Sequence, residues 1–140
     1  MDKKLHPLEG SSWRGKGELW LDPLGNEATH YDCTLRIEAD AVRYTWDYEG
    51  KTHEGSLALD ADGAHWTDSW HQSQPVRCTR HDDDWGLLSL RSTYGAGDGP
   101  DWGWHTTLAL RPSDQLVLQM TNVTPWGEHG RAVRMVFDRE

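Results

Sequence analysis

Apolar and polar side chains trade places along this chain with a period of two, in segments separated by turn signals about every ten residues, as expected of strands with one buried face. The breaks fall at Asp22-Pro23-Leu24-Gly25-Asn26, Glu38 to Ala41, Glu49-Gly50-Lys51, Asp60-Ala61-Asp62-Gly63, His71 to Pro75, His81 to Trp85, Tyr94 to Asp101, Arg111 to Asp114 and Thr124 to Gly130. Between them the pattern predicts ten strands, at 13–21, 28–38, 41–49, 51–60, 64–71, 75–81, 86–94, 102–111, 115–124 and 130–139. No segment sustains apolar residues at i, i+3 and i+4, so helix is nearly absent. Short connections make consecutive strands antiparallel neighbours, and a meander this long either closes or leaves aggregation-prone edges. The expected fold is all-β: a single closed antiparallel up-and-down barrel of about ten strands spanning 1–140. A two-sheet sandwich is the alternative, and it calls for longer crossovers than the chain offers.

The alternation also assigns faces. Tyr31, Cys33, Leu35 and Ile37, then Tyr44, Trp46 and Tyr48, then His53, Gly55, Leu57 and Leu59 share the inward register. So do Trp66, Asp68 and Trp70, then Leu88, Leu90, Ser92 and Tyr94, then Trp102, Trp104, Thr106, Leu108 and Leu110. Leu116, Leu118, Met120, Asn122, Val133, Met135 and Phe137 complete it. Thr34, Arg36, Glu38, Glu54, Ser56, His65, Thr67, Ser69, Ser89, Arg91, Thr93, Arg134 and Asp138 fall on the opposite, solvated face. The inward set mixes aliphatic residues with aromatics and a few polar tips, which suits a cavity with convergent hydrogen-bonding groups. In a filled barrel the same tyrosines and Asn122 would instead satisfy one another.

Composition sharpens that reading. Nine Trp stand against one Phe. An indole is a costly core filler because its N–H needs an acceptor. Codon bias accounts for part of the ratio, since the chain also has ten Arg to four Lys and fifteen Leu to one Ile; it does not account for placement at strand spacing. A net charge of −9 with no basic run excludes nucleic acid and anionic membrane as evident partners. The first nine residues carry Lys3 and Lys4 without an apolar core for a signal, and Cys33 and Cys78 have no ligand-spaced partner, so a cytoplasmic protein with two packed thiols is expected.

Gly10-Ser11-Ser12-Trp13-Arg14-Gly15-Lys16-Gly17 resembles the W-x-G-x-G first strand of calycin-like barrels: lipocalins, fatty-acid-binding proteins, nitrobindin-type haem barrels and a related bacterial group of unassigned function. Ser11 stands where the lipocalin G-x-W would have Gly. The resemblance implies an interior small-molecule site without fixed chemistry, and an Arg from the last strand, Arg131 or Arg134, over Trp13. Nitrobindin-like barrels bind haem through a His just before the last strand, and His129 occupies that place here. Its parity with Val133 permits an inward ring, although Gly127 and Gly130 flank it.

The candidate ligand-binding residues are therefore Tyr44, Trp46, Asp68, Trp70, Tyr94, Trp104 and Asn122, around a small apolar or aromatic molecule held without covalent chemistry. His129 is the candidate haem ligand. Asp68, set between Trp66 and Trp70, is the candidate general acid or base of a cavity enzyme, with His53 or Tyr44 as partner. His65 and His71 fall on the face opposite Asp68. No G-x-S-x-G, H-E-x-x-H, phosphate loop or metal-spaced histidine pair supports another chemistry. A filled barrel serving structure or homodimerisation is the third class, with Trp126 in the 124–130 loop as a mouth residue or dimer contact.

Overall fold

A computed structural model describes residues 4–22, 26–81 and 83–140. Lys3, the Pro23–Gly25 part of the first turn and Asp82 lie outside them. The chain forms ten strands: β1 (Ser12–Trp20), β2 (Ala28–Ile37), β3 (Ala41–Tyr48), β4 (Lys51–Leu59), β5 (Gly63–Asp68), β6 (Gln72–Arg80), β7 (Leu88–Tyr94), β8 (Trp102–Leu110), β9 (Leu116–Val123) and β10 (His129–Arg139). Each pairs antiparallel with its sequence neighbours, and β10 returns to β1 to close an up-and-down barrel. The sandwich alternative is thereby excluded. Among the described residues no helix is long and apolar enough to cross a membrane.

The alternating pattern becomes the wall itself. Tyr31, Cys33, Leu35 and Ile37 are buried while Asp32 and Arg36 between them are exposed, as period-two side chains in a half-buried strand must be. Inner-face rows then run across the strands: Leu35, Tyr44, Gly55 and Asp68 are successive cross-strand partners, as are Val42, Leu57, Trp66 and Val76. Gly55 is there for space. A Cβ on it would lie 1.9 Å from the Tyr44 ring, so the ring lies directly over its backbone.

The two ends of the barrel differ. One is plugged by a short 3₁₀ turn, His6–Leu8, which buries Leu5 and Leu8 and docks through the Gly10 N–H on the Ile37 carbonyl and the Ile37 N–H on the Ser11 carbonyl. Two leucines three residues apart were the only sequence hint of this plug. The other end gathers the aromatic residues, with Tyr48, Trp70, Trp102 and Trp126 around its rim.

The wall is not evenly zipped. β3 and β4 share eight paired positions, whereas β6 and β7 share two, Thr79↔Arg91 and Arg80↔Leu90. β6 is also irregular on its other side, against β5. Between the pairs Trp66↔Val76 and Asp68↔Gln72, one residue of β5 faces three of β6, Ser73, Gln74 and Pro75. Such a bulge breaks the ladder, and Pro75 has no N–H to donate across the gap. The break expected at 71–75 is thus a bulge inside a strand rather than a loop before one.

The arginine over Trp13 is Arg139, its direct register partner, at 5.7 Å from the ring centroid. Arg131 instead covers Trp20 at the opposite end of β1, and Arg134 donates to Gln119. Neither of the two arginines expected at Trp13 reaches it, because register fixes which β10 residue lies opposite.

Candidate functional site

Asp68 ends β5 on the inner face and is 1% exposed. Its Oδ2 accepts from the Tyr44 hydroxyl at 2.7 Å and from Trp46 Nε1 at 3.2 Å, and its Oδ1 accepts the backbone N–H groups of Trp70 and His71 at 2.9 and 3.1 Å. Trp66 Nε1 in turn donates to the Tyr44 oxygen at 3.0 Å. Four donors fill the usual acceptor positions of a carboxylate. None of the ion pairs among the described residues involves Asp68, so these donors alone stabilise it. Burial pushes the Tyr44 hydroxyl well above the ordinary tyrosine range, and the Asp68 charge adds to the shift. Tyr44, Trp46 and Asp68 therefore form a satisfied, hydrogen-bonded polar core inside the wall.

The backbone bonds from Asp68 shape the turn that follows. Trp70 and His71 leave strand geometry there, so the parity that placed Trp70 inward and His71 on the face opposite Asp68 no longer applies. Trp70 is 46% exposed and packs edge-on against Trp46 and Tyr48 at the rim. His71 turns in, with its ring stacked on Trp46 at 5.6 Å and tilted against Trp104 at 5.4 Å. Burial lowers its pKa to about 4, against the opposing pull of the Asp68 carboxylate, so the ring is neutral at physiological pH.

Behind the unzipped seam lies a cavity of about 200 Å³. Gln72 and Val76 of β6 and Ser92, Thr93 and Tyr94 of β7 form its two lips, and Trp66, His71 and Trp104 form its inner wall. Trp66 and Trp104 stack at 5.3 Å and 14°. Two of the residues that line it, His71 and Trp104, each carry a ring nitrogen, Nε2 and Nε1, that is fully buried and without a hydrogen-bond partner among the described residues. Buried polar atoms are nearly always paired, so two orphans on one wall single this place out. A wider depression of about 890 Å³ lies outside β2 to β5, lined by Thr34, Thr45, Ser56 and Thr67 among others. Tyr44 and Asp68 also line it, although each is at most 2% exposed.

Of the seven expected ligand-binding residues, Tyr94 and Trp104 line the cavity. Asn122 sits beside it as the acceptor of the Tyr94 hydroxyl. His129 is exposed, and its ring meets that of His105 on the outer face at 5.6 Å. A bulge between Arg131 and Val133 reverses the parity that would have turned it inward. Trp66 and Ser92 were expected on the inner face though not among the seven, whereas Thr93 was expected on the solvated face and His71, Gln72 and Val76 in no binding role. The signal for them was the Pro75 break itself, which marks where the ladder opens. No known family model matches the sequence, and no curated protein is significantly similar to it. What the fold and site define is a closed ten-stranded antiparallel barrel with one weakly paired seam and an aromatic cavity behind it.

Proposed function

We propose that the protein binds a small apolar or aromatic molecule, non-covalently, in the cavity behind the β6–β7 seam. The observation that carries this reading is the coincidence of three features at one place: an unzipped wall, an aromatic cavity, and two unpartnered buried nitrogens. Chemistry at Asp68 has less support, because its four hydrogen bonds leave no acceptor position for a substrate. Haem ligation through His129 also has less support, since its ring faces outward. The closed meander and Trp13 among its glycines favour kinship with calycin-like barrels. The buried free thiols Cys33 and Cys78 favour a reducing compartment such as the cytoplasm.

Indole is a suitable first probe, being flat, neutral and small. Calorimetric titration should show saturable binding, lost by tenfold or more in Ser92→Trp, which fills the cavity from β7 while leaving far-ultraviolet dichroism unchanged. Native mass spectrometry of freshly purified protein should reveal a co-purifying small molecule. No binding of indole, together with a clean apo mass, would overturn the proposal.

A further inference from the structure

One short segment of the wall over the cavity is held at both ends and hardly at all between them. At its start, Asp68 pairs with Gln72, and its Oδ1 accepts the Trp70 and His71 N–H groups. At its end, Arg77 pairs with His65 and donates to Asp60 through two guanidinium nitrogens, while Cys78 pairs with Ala64 and is buried. Residues 72–76 between these points have no partner in β7, which pairs with β6 only at Thr79 and Arg80. Towards β5 they keep only the flanking pairs at Gln72 and Val76, because Ser73, Gln74 and Pro75 form the bulge.

Burial follows the same division. Ser73, Gln74 and Pro75 are exposed, whereas Gln72 and Val76 are partly buried on the lip of the cavity. Of the five, only Val76 packs an apolar side chain against the core. The Gln72 side-chain amide donates to the Gln74 carbonyl at 2.9 Å, a bond internal to the segment that travels with it. Raising these residues gives up little apolar contact and few ladder bonds, the conditions under which a segment opens without global unfolding. The closed state carries a burden of its own. His71 Nε2 and Trp104 Nε1 are cut off from solvent and have no partner among the described residues, so water reaching them in an opened state would supply the missing hydrogen bonds. Trp46 gives the contrast within one molecule: its indole N–H is bonded to Asp68 behind the paired β3–β4 ladder.

We propose that residues 72–76 are a flap that lifts as a unit while the rest of the barrel stays closed, and that the occupant enters beneath it. Entry rests on the cavity-binding reading; lifting does not, and it is measured on the free protein. Hydrogen exchange of the indole N–H groups is followed by NMR at low urea, each assigned by loss of its signal in Trp104→Phe or Trp46→Phe. Acylation of His71 by diethylpyrocarbonate is mapped by mass spectrometry under the same conditions. Trp104 should exchange at least about tenfold faster than Trp46, and both Trp104 exchange and His71 acylation should depend only weakly on urea. Val76→Ala removes the apolar contact of the flap and should speed both reactions by about twofold or more. Val42→Ala, in the paired quarter, should speed exchange at Trp46 and leave the two seam reactions unchanged.

Common rates and urea slopes for Trp104 and Trp46 would mean that the wall opens only by global unfolding, which overturns the flap. Seam reactions unaltered by Val76→Ala overturn it too, as does fast Trp104 exchange without His71 acylation, which is water penetrating a closed wall. Saturating indole should slow both seam reactions. If calorimetry shows indole bound and the rates do not change, entry beneath the flap is overturned. If indole does not bind, the cavity-binding reading loses its support and the lifting stands on the exchange data.

Discussion

The β3–β4–β5 quarter of the barrel and the β6–β7 seam are made of similar residues and differ in what their polar atoms do. In the first, every inner-face polar group around Asp68 has found another: carboxylate, phenol, two indoles and two backbone N–H groups form one connected set, behind a ladder paired along its length. In the second, the ladder holds at two positions, and two ring nitrogens on its inner side remain unpaired. Buried polar groups that are fully satisfied specify and rigidify a core, whereas unsatisfied ones weaken it. The comparison predicts that damage to the first region lowers stability, and damage to the second lowers binding.

The largest effect should come from Asp68→Ala. It removes the common acceptor and strands the Tyr44 hydroxyl, the Trp46 N–H and two backbone donors in the interior, at a cost on the order of 3–5 kcal/mol in urea unfolding. Asp68→Asn should cost less, since the amide oxygen keeps part of the acceptor set. An unfolding midpoint for Asp68→Ala equal to that of the parent would remove the basis for calling this region a structural core.

Next in size is the pH dependence that His71 brings to the seam. Its pKa in the fold is about 4, below the ordinary value of 6.5. Between those values the unfolded chain binds the proton and the folded one does not, so stability falls as pH drops from 6.5 towards 4 and levels off below. The span corresponds to a loss of up to about 3 kcal/mol. Comparison of the parent with His71→Leu across that range isolates it, and parallel stability curves for the two would contradict a buried neutral ring.

The barrel was legible in the sequence because period-two alternation and regular turn signals are local properties, and all ten strands fall within a few residues of where they place them. Asp68 was legible as an inward carboxylate among indoles. Its role was not, because whether a buried acceptor faces a ligand or a tyrosine depends on which strands lie across the barrel, and Tyr44 is 24 residues away in sequence. Parity failed where the backbone departs from strand geometry: at the turn that carries Trp70 and His71, and at the bulge before Val133 that sends His129 outward. Bulges and turns are set by hydrogen bonding across strands, which a single strand's pattern does not record. The cavity lay at one of these failures.

Two glycines sharpen the contrast at smaller scale. Gly55→Ala sets a methyl against the Tyr44 ring, 1.9 Å away before relaxation, and must push the phenol off Asp68. The expected cost is about 1–3 kcal/mol. Gly103→Ala, on β8 beside the cavity wall, meets the Val123 Cβ at 3.2 Å and should cost under about 1 kcal/mol, because a few tenths of an ångström of adjustment accommodate it. Thermal unfolding of both variants gives the comparison directly, and a reversed order would mean that the Tyr44 ring is not held where Asp68 requires it.

The smallest expected difference uses one substitution at both places. Val42 and Val76 stand in the same inner-face row, separated by Leu57 and Trp66 on the two strands between them. Val42 is fully buried within the paired quarter, so Val42→Ala loses two methyl groups and leaves a void the neighbours cannot close, about 2 kcal/mol. Val76 is only partly buried, on the lip of the opening, and Val76→Ala should cost about 0.5–1 kcal/mol while widening the cavity. If indole also binds the Val76→Ala protein with altered affinity and the Val42→Ala protein with unchanged affinity, stability and binding have been separated along one row of side chains. Equal stability losses with equal affinities would mean that the seam is packed like the rest of the wall.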